Sequence, residues 1–352
     1  MARTSDFAIY FLCPDHDVPV GGIKVIYNQV DMLVAEGVQA FVLHNKPGFR
    51  CSWFQNETPI RCTNEGFTAK QSDIFVLPEV TDPDIFKVLQ GHHKVIFNQN
   101  CYYTFEHLSP ESPARPNPYT DPSILGCMVV SSDSYNYLSY AFPELNLHRV
   151  RNQIDPVRFA YRADKKDQIA YMPRKNLSDA TQVFQLLECR GALDGLDIVP
   201  IKGMSAEKAA EVIAESRFFF SFGSPEGFSL PPAEAMATGS IVIGYHGWGG
   251  AEFLVDGLAY PIDTSDVLTF SQRAEKVLAH YRKEPNFFDT VGREASRFIH
   301  SHYNPALHED DLHTAWSHLL SIYYRKRSQS QATVPVNLLE VERNSPAASI
   351  WA

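Results

Sequence analysis

The residues best equipped for chemistry lie together in Ser221–Leu254, which reads SFGSPEGFSLPPAEAMATGSIVIGYHGWGGAEFL. Two carboxylates, Glu226 and Glu234, are separated here by seven residues. Gly227 lets the backbone come close to a ligand. The amides of Phe228, Ser229 and Leu230 fall where a helix begins, a position that suits an anion such as a diphosphate. Pro231 and Pro232 fit the first helical turn, where a missing N–H costs little. Glu234, inside that helix, can accept hydrogen bonds from two neighbouring hydroxyls, as on a ribose. An apolar strand and the glycine-rich Gly247–Gly250 with Glu252 complete the constellation. Taken singly, Glu226 reads as a solvated loop carboxylate and Glu234 as a helix-surface residue; the arrangement is what gives them chemistry.

Such a loop needs a parallel sheet to hold it, and the chain alternates apolar strands with helical patterns throughout. In the first half, Phe7–Leu12, Gln39–Leu43, Asp73–Leu77, Lys94–Phe97 and Gly126–Ser131 read as strands. Ile23–Glu36 carries Ile23, Ile26, Val30, Leu33 and Val34 at helical spacing, and Gly37 is placed to end that helix. A second series begins near Gln168, with strands at Ile169–Met172, Asp197–Ile201, Arg217–Phe222 and Ser240–Gly244. Helices at Asp179–Cys189, Ala206–Glu215 and Pro231–Thr238 alternate with them. This α/β alternation implies parallel sheets covered on both faces, with ligands outside the carboxyl ends of the strands. Five prolines between Ser109 and Pro122 exclude a regular helix or central strand there. That stretch reads either as an ordered surface loop on the acceptor side or as a spacer. A helix from Ala306 to about Arg327 carries Leu312, Trp316, Leu319, Leu320 and Tyr323 on one face.

The segment at Glu226–Glu234 resembles the E-x7-E motif of the retaining GT-B glycosyltransferases, specifically the large family 4. The likeness covers about 160 residues of the second half well and the first half loosely. It implies a GT-B fold: two Rossmann-like parallel-sheet domains facing a central cleft, the C-terminal one compact. The boundaries this implies are an acceptor domain over 1–155 and a nucleotide-sugar donor domain over 156–305. A helix over 306–327 then crosses back to the first domain, and 328–352 forms a flexible tail. By the same resemblance Glu226 contacts the transferred sugar, Glu234 the nucleotide ribose, and the backbone at Gly227–Leu230 the sugar hydroxyls and phosphate. Arg174 and Lys175, after the strand Ile169–Met172, fall where the family neutralises its diphosphate leaving group. An Arg grips phosphate in a bidentate way, and stabilising a departing charge is electrostatic catalysis. The family's lysine stands several residues further on, where this chain has Ser178 and Asp179, so Lys175 either replaces it or faces solvent. Gly21 and Gly22 resemble the N-terminal glycine loop that approaches the donor phosphates. Gly203 and Met204 fall where the family sets a nucleobase against the backbone, with a plain turn glycine as the alternative.

One departure is large. Many relatives carry a histidine just past the fourth strand, where this chain reads Phe97-Asn98-Gln99-Asn100. Asn98 or Asn100 can bind sugar hydroxyls but cannot exchange protons as His does. His16, His44 and His107 read as structural or exposed. Retaining transfer in this family is described as front-face attack with the leaving phosphate helping to take the acceptor's proton, which needs no histidine base.

The formal net charge is −10, and residues 1–150 hold 10 Lys/Arg against 16 Asp/Glu, about −6 (10 − 16). That balance argues against nucleic-acid binding and leaves at most weak peripheral membrane contact. Six scattered cysteines without a C-x-x-C pair exclude a disulfide framework or zinc site and fit a reduced compartment. Without a signal peptide or apolar span, the cytoplasm is the expected location. Asp82-Pro83-Asp84 reads as a helix start, not a metal-binding D-x-D, so neither metal nor other cofactor is expected. No G-x-G-x-x-G follows a first strand, which speaks against a nicotinamide dehydrogenase. The expected partners are a nucleoside-diphosphate sugar and a glycan, lipid-linked or small-molecule acceptor. The alternatives are an epimerase or hydrolase of nucleotide sugars on the same fold, or an inactive sugar-nucleotide-binding protein.

Overall fold

The computed structural model describes residues 6–80, 83–106, 108–111 and 117–328. Asp82, His107 and all but the first residue of the 328–352 tail lie outside these. The chain divides into two compact units. The first comprises the chain up to Val130, Ser134–Val150 and the chain from Glu309; the second holds Ser131–Asp133 and Arg151–His308.

The first unit is built on seven parallel strands: β1 (Ile9–Leu12), β2 (Ala40–His44), β3 (Ile60–Cys62), β4 (Ile74–Pro78), β5 (His93–Asn98), β6 (Ile124–Val129) and β7 (Leu147–Arg149). Their order is β3-β2-β1-β4-β5-β6-β7. All six residues of β6 are buried, the near-continuous apolar run that a sheet covered on both faces requires. Helix α1 (Gly21–Ala35) buries Ile23, Ile26, Tyr27, Val30 and Leu33, and Gly37 follows it at φ +83°. Helices α2 (Pro83–Val88) and α3 (Ser132–Ala141) come next in the chain.

The second unit carries five parallel strands: β8 (Lys166–Tyr171), β9 (Asp197–Pro200), β10 (Ser216–Ser221), β11 (Ile241–Tyr245) and β12 (Tyr260–Ile262). Their order is β12-β11-β10-β8-β9. The helices are α4 (Leu177–Cys189), α5 (Ala206–Glu215), α6 (Leu230–Ala237), α7 (Val267–Lys283) and α8 (Pro285–His302). Central β10 places Phe218 and Phe220 in a core with Phe222, Phe184 and Phe270. Phe184 stacks on Phe220 at 5.6 Å and Phe222 on Phe270 at 4.8 Å. Each such ring contributes about 1.5–3 kcal/mol by burial, which anchors the strand that carries the site loop.

The last helix, α9 (Pro305–Arg327), lies from Glu309 onward in the first unit. Trp316 packs 6.2 Å from Phe11, Tyr323 packs 5.2 Å from Phe7, and the Tyr323 hydroxyl donates to Ser72 O. The helical stripe read from the sequence is the face that meets the sheet. All six cysteines are free thiols. Among the described residues, no helix is long and apolar enough to cross a membrane.

Candidate active site

Three loops meet at the carboxyl ends of β8, β10 and β11. The first carries Arg174, Lys175 and Asn176, the second runs from Phe222 to Ser229, and the third is His246–Gly250. The last two zip together along their backbones. Glu226 N donates to Gly247 O at 2.8 Å, and Gly249 N donates to Glu226 O at 3.1 Å. This close approach explains a glycine: a Cβ on Gly249 would stand 2.0 Å from Gly227 O. Gly223 makes room in another way, since a Cβ there would meet Glu226 Oε1 at 3.2 Å.

The first loop is clipped to the second by Asn176, whose Nδ2 donates to Phe222 O at 2.8 Å and to Ser224 O at 3.2 Å. An Asn just before a helix reads from sequence as an N-cap. Here it stands in the left-handed region at φ 51° with no capping bond of its own, and its side chain reaches across to the loop that follows β10 instead. The clip turns Lys175 inward. Lys175 Nζ lies 3.1 Å from Glu226 Oε1 and donates to Pro225 O at 2.6 Å. Arg174 Nη2 is 3.7 Å from the same carboxylate. The Lys175 side chain is 17% exposed and that of Arg174 53%. The lysine therefore takes the inner position and the arginine the outer one.

Glu226 is thus gathered with both cations, beside the start of α6. Gly227, Phe228 and Ser229 are buried, yet their amides enter no hydrogen bond among the described residues. Buried donors of this kind are costly unless something accepts from them. The buried Ser229 hydroxyl likewise has no partner among the described residues. Ser229 sits at φ 67° just before α6, which turns this run of amides ahead of Leu230, Pro231 and Pro232. The Phe228 side chain is not available to a ligand: it packs 5.1 Å from Phe253 and 5.0 Å from Tyr303, so only its backbone can serve. Glu234 is half-buried on the first turns of α6. Glu252 accepts from Tyr303 Oη and from Ser132 N, both at 2.9 Å. At the end of β9, Gly203 is an exposed turn glycine at φ +64° with open space at its Cβ position, and Met204 is half-buried.

The first unit closes its strand ends differently. Gly21 and Gly22 form no free loop; they are the first two residues of α1, so their backbone is a helix N-terminus. Gln99 Nε2 ties that turn to β5 by donating to Gly22 O at 3.1 Å. Asn98 is fully buried, and its Nδ2 donates to Thr104 Oγ1 and to Tyr119 Oη. Asn100 is also buried, and its Oδ1 accepts from Tyr102 N. Both asparagines are thus buried and tied through these bonds, while Asn98 Oδ1 has no partner among the described residues. Beside them stands a group that the sequence reading passed over. Glu79 is buried, accepts from Gln99 N at 3.3 Å, and burial pushes its carboxyl up to about 7. No local sequence signal marks it, because its burial arises from strands β4 and β5 closing over it. His44 is fully buried between Tyr27 Oη and Asp15 Oδ1, each at 2.8 Å, a structural histidine as expected. Among the described residues, no three His, Cys, Asp or Glu side chains gather as metal ligands.

The chain matches no protein-family model. It is 28% identical over 261 residues to the alpha-1,6-glucosyltransferase of Actinobacillus pleuropneumoniae serotype 7 (strain AP76), covering 70% of this chain and 75% of that protein. Among solved structures, Anabaena Alr3699/HepE in complex with UDP-glucose matches with a TM-score of 0.62 and 13% identity, over 88% of this chain and 99% of that one. Sucrose-phosphate synthase (tll1590) from Thermosynechococcus elongatus matches with a TM-score of 0.65 and 12% identity, over 91% of this chain and all (100%) of that one. At such identities the structural matches speak for fold alone, and the fold is GT-B. The sequence likeness to a named glucosyltransferase and the GT-B fold together support a transferase reading.

Proposed function

We propose that the chain transfers a sugar from a nucleoside-diphosphate sugar to a hydroxyl acceptor with retention of anomeric configuration, in the manner of family 4. The observation that carries this is the convergence of Glu226, Lys175 and Arg174 on a run of buried, unengaged amides at Gly227–Ser229. A diphosphate needs cations and aimed N–H groups, and a sugar needs a carboxylate able to accept from its hydroxyls. In this reading Lys175 and Arg174 hold the diphosphate and stabilise the negative charge it gains on leaving. Glu226, now paired with Lys175, accepts hydroxyls of the transferred sugar, and Glu234 those of the ribose. Gly21 and Gly22 approach the phosphates through the helix N-terminus they form. Gly203 and Met204 flank the base. An amide at Asn98 or Asn100 cannot take the acceptor's proton, so that proton goes to the leaving phosphate, and no cofactor or metal is required.

UDP-glucose is the first donor to test, since the solved HepE complex contains it and a sequence relative is named a glucosyltransferase. The acceptor is a glycan, lipid-linked or small-molecule hydroxyl compound, and the expected location is the cytoplasm. A thermal-shift panel of UDP-, GDP-, ADP- and dTDP-glucose tests the donor class. A ligand at a hundred times its Kd raises stability by about 2.7 kcal/mol, a clear rise in Tm for one nucleotide. A flat response across the panel overturns the donor reading. Product NMR tests retention: an inverted anomeric centre contradicts it, and turnover without any acceptor favours the epimerase or hydrolase alternative.

A further inference from the structure

Next to Glu226 stands an aromatic residue to which no role has been given. Trp248 faces Glu226 across the zipped loops as its bridge partner. Its backbone is a γ-turn of the strained kind, with φ 72° and ψ −65°, closed by Gly249 N donating to Gly247 O at 3.1 Å. That conformation is rare, and a bulky side chain adopts it only where its surroundings force it. Glycine would meet the same turn without steric conflict. The chain instead puts its largest aromatic side chain there and leaves it 47% exposed.

The ring is also buttressed. His246 packs edge-on against it at 5.5 Å between centroids. Trp248 N donates to His246 Nδ1 at 3.1 Å, which leaves Nε2 to carry the proton toward Asp263 Oδ1 at 3.3 Å. Strain, exposure and a fixed orientation beside a candidate sugar carboxylate are together what a ligand-facing residue shows, since strained geometry gathers at functional sites. A flat indole, apolar on its face and polar at its edge, matches the C–H face of a pyranose whose hydroxyls turn toward a carboxylate.

We infer that Trp248 is a stacking platform for a pyranose ring at the Glu226 site and sets its preference for hexose substrates. The inference rests on the donor reading above. The ring belongs either to the transferred sugar or to a saccharide acceptor, and two titrations separate these sources. Wild-type protein, W248A and W248F are titrated calorimetrically with UDP and UDP-glucose, then, saturated with UDP, with maltose. A donor-side platform weakens UDP-glucose about ten-fold in W248A and leaves UDP unchanged. An acceptor-side platform weakens maltose by a similar factor and spares UDP-glucose. W248F, which keeps a flat face, retains most of the affinity in either case. A fourth variant, W248G, guards against a merely structural role: it removes the steric conflict, so it melts within a few degrees of wild type while losing sugar affinity like W248A. Unchanged affinity for both sugars in W248A overturns the platform. If E226A is equally silent, the donor reading falls with it; if E226A alone abolishes UDP-glucose binding, only the platform is lost.

Discussion

Two parallel sheets in one chain finish their strand ends in opposite ways. In the second unit, Lys175, Arg174 and Glu226 converge while the amides of Gly227–Ser229 enter no hydrogen bond among the described residues. In the first, Glu79 accepts from Gln99 N, Asn100 Oδ1 accepts from Tyr102 N, Gln99 Nε2 ties the first turn of α1, and Asn98 Nδ2 donates to Thr104 and Tyr119 while its Oδ1 has no partner among the described residues. The same architecture thus yields one edge with backbone donors held ready and another whose backbone turn is already tied by side chains. Polar residues at a strand end do not by themselves mark a site. What separates the two edges is whether their backbone amides already have protein partners.

The contrast can be broken by substitution, and the largest effect belongs to the glycine that allows the loops to zip. G249A puts a methyl group against Gly227 O, so the loops must part; transfer is expected to fall more than a hundred-fold with a drop in Tm. Wild-type kinetics in G249A would show that the zipped geometry is not needed. K175A comes next. Because Lys175 is the inner cation and Arg174 the outer one, K175A should lower kcat/KM several tens-fold, about 2–3 kcal/mol. R174A should cost about ten-fold less, and the reverse order would refute the inward role of Lys175.

N98A should behave in the opposite sense. It leaves a buried cavity and takes one donor from Tyr119 Oη, which still donates to Glu79 O, at a cost of about 1–3 kcal/mol in stability, while the Kd for a nucleotide sugar stays at the wild-type value. A lost donor affinity at unchanged Tm would return Asn98 to the site. A further change concerns pH and Glu79. Its folded pKa, raised to about 7 from 4.5, lies above the unfolded value. The native state therefore holds the extra proton between these pH values, so stability is greatest below about 4.5 and is lost as pH rises through 7. The difference is on the order of 3 kcal/mol. E79Q cannot ionise, so denaturant midpoints at pH 5 and 8 should lie closer together than in wild type; identical pH dependence would remove Glu79 as the cause.

The larger elements were legible in the sequence because they are long and periodic. Helix α5 matches the expected Ala206–Glu215, and the Phe218–Phe220 run announced a strand buried on both faces. The three-residue strands β3, β7 and β12 were not read, being too short to show a period. Helices α7 and α8 went unassigned although their apolar faces are buried. In the site, the glutamates, glycines and prolines could be found because their spacing is local. Asn176, Glu79, Tyr119 and Trp248 could not. Asn176 acts across the sheet, Glu79 and Tyr119 owe their roles to closure of β4 and β5, and Trp248 owes its role to a backbone angle. The asparagines at the end of β5 meet the same limit, since an amide that binds sugar and one that braces a core look alike in sequence.

The central claim is that the loops at Arg174–Asn176, Phe222–Ser229 and His246–Gly250 form the donor site. Calorimetric titration of wild-type protein and E226A with the nucleotide sugar selected by the thermal-shift panel tests it most directly. Glu226 is partly exposed, and its loss should leave Tm nearly unchanged. The account predicts a Kd weakened several tens-fold, about 2–3 kcal/mol, at an unaltered fold. Equal affinity in the two proteins would contradict it.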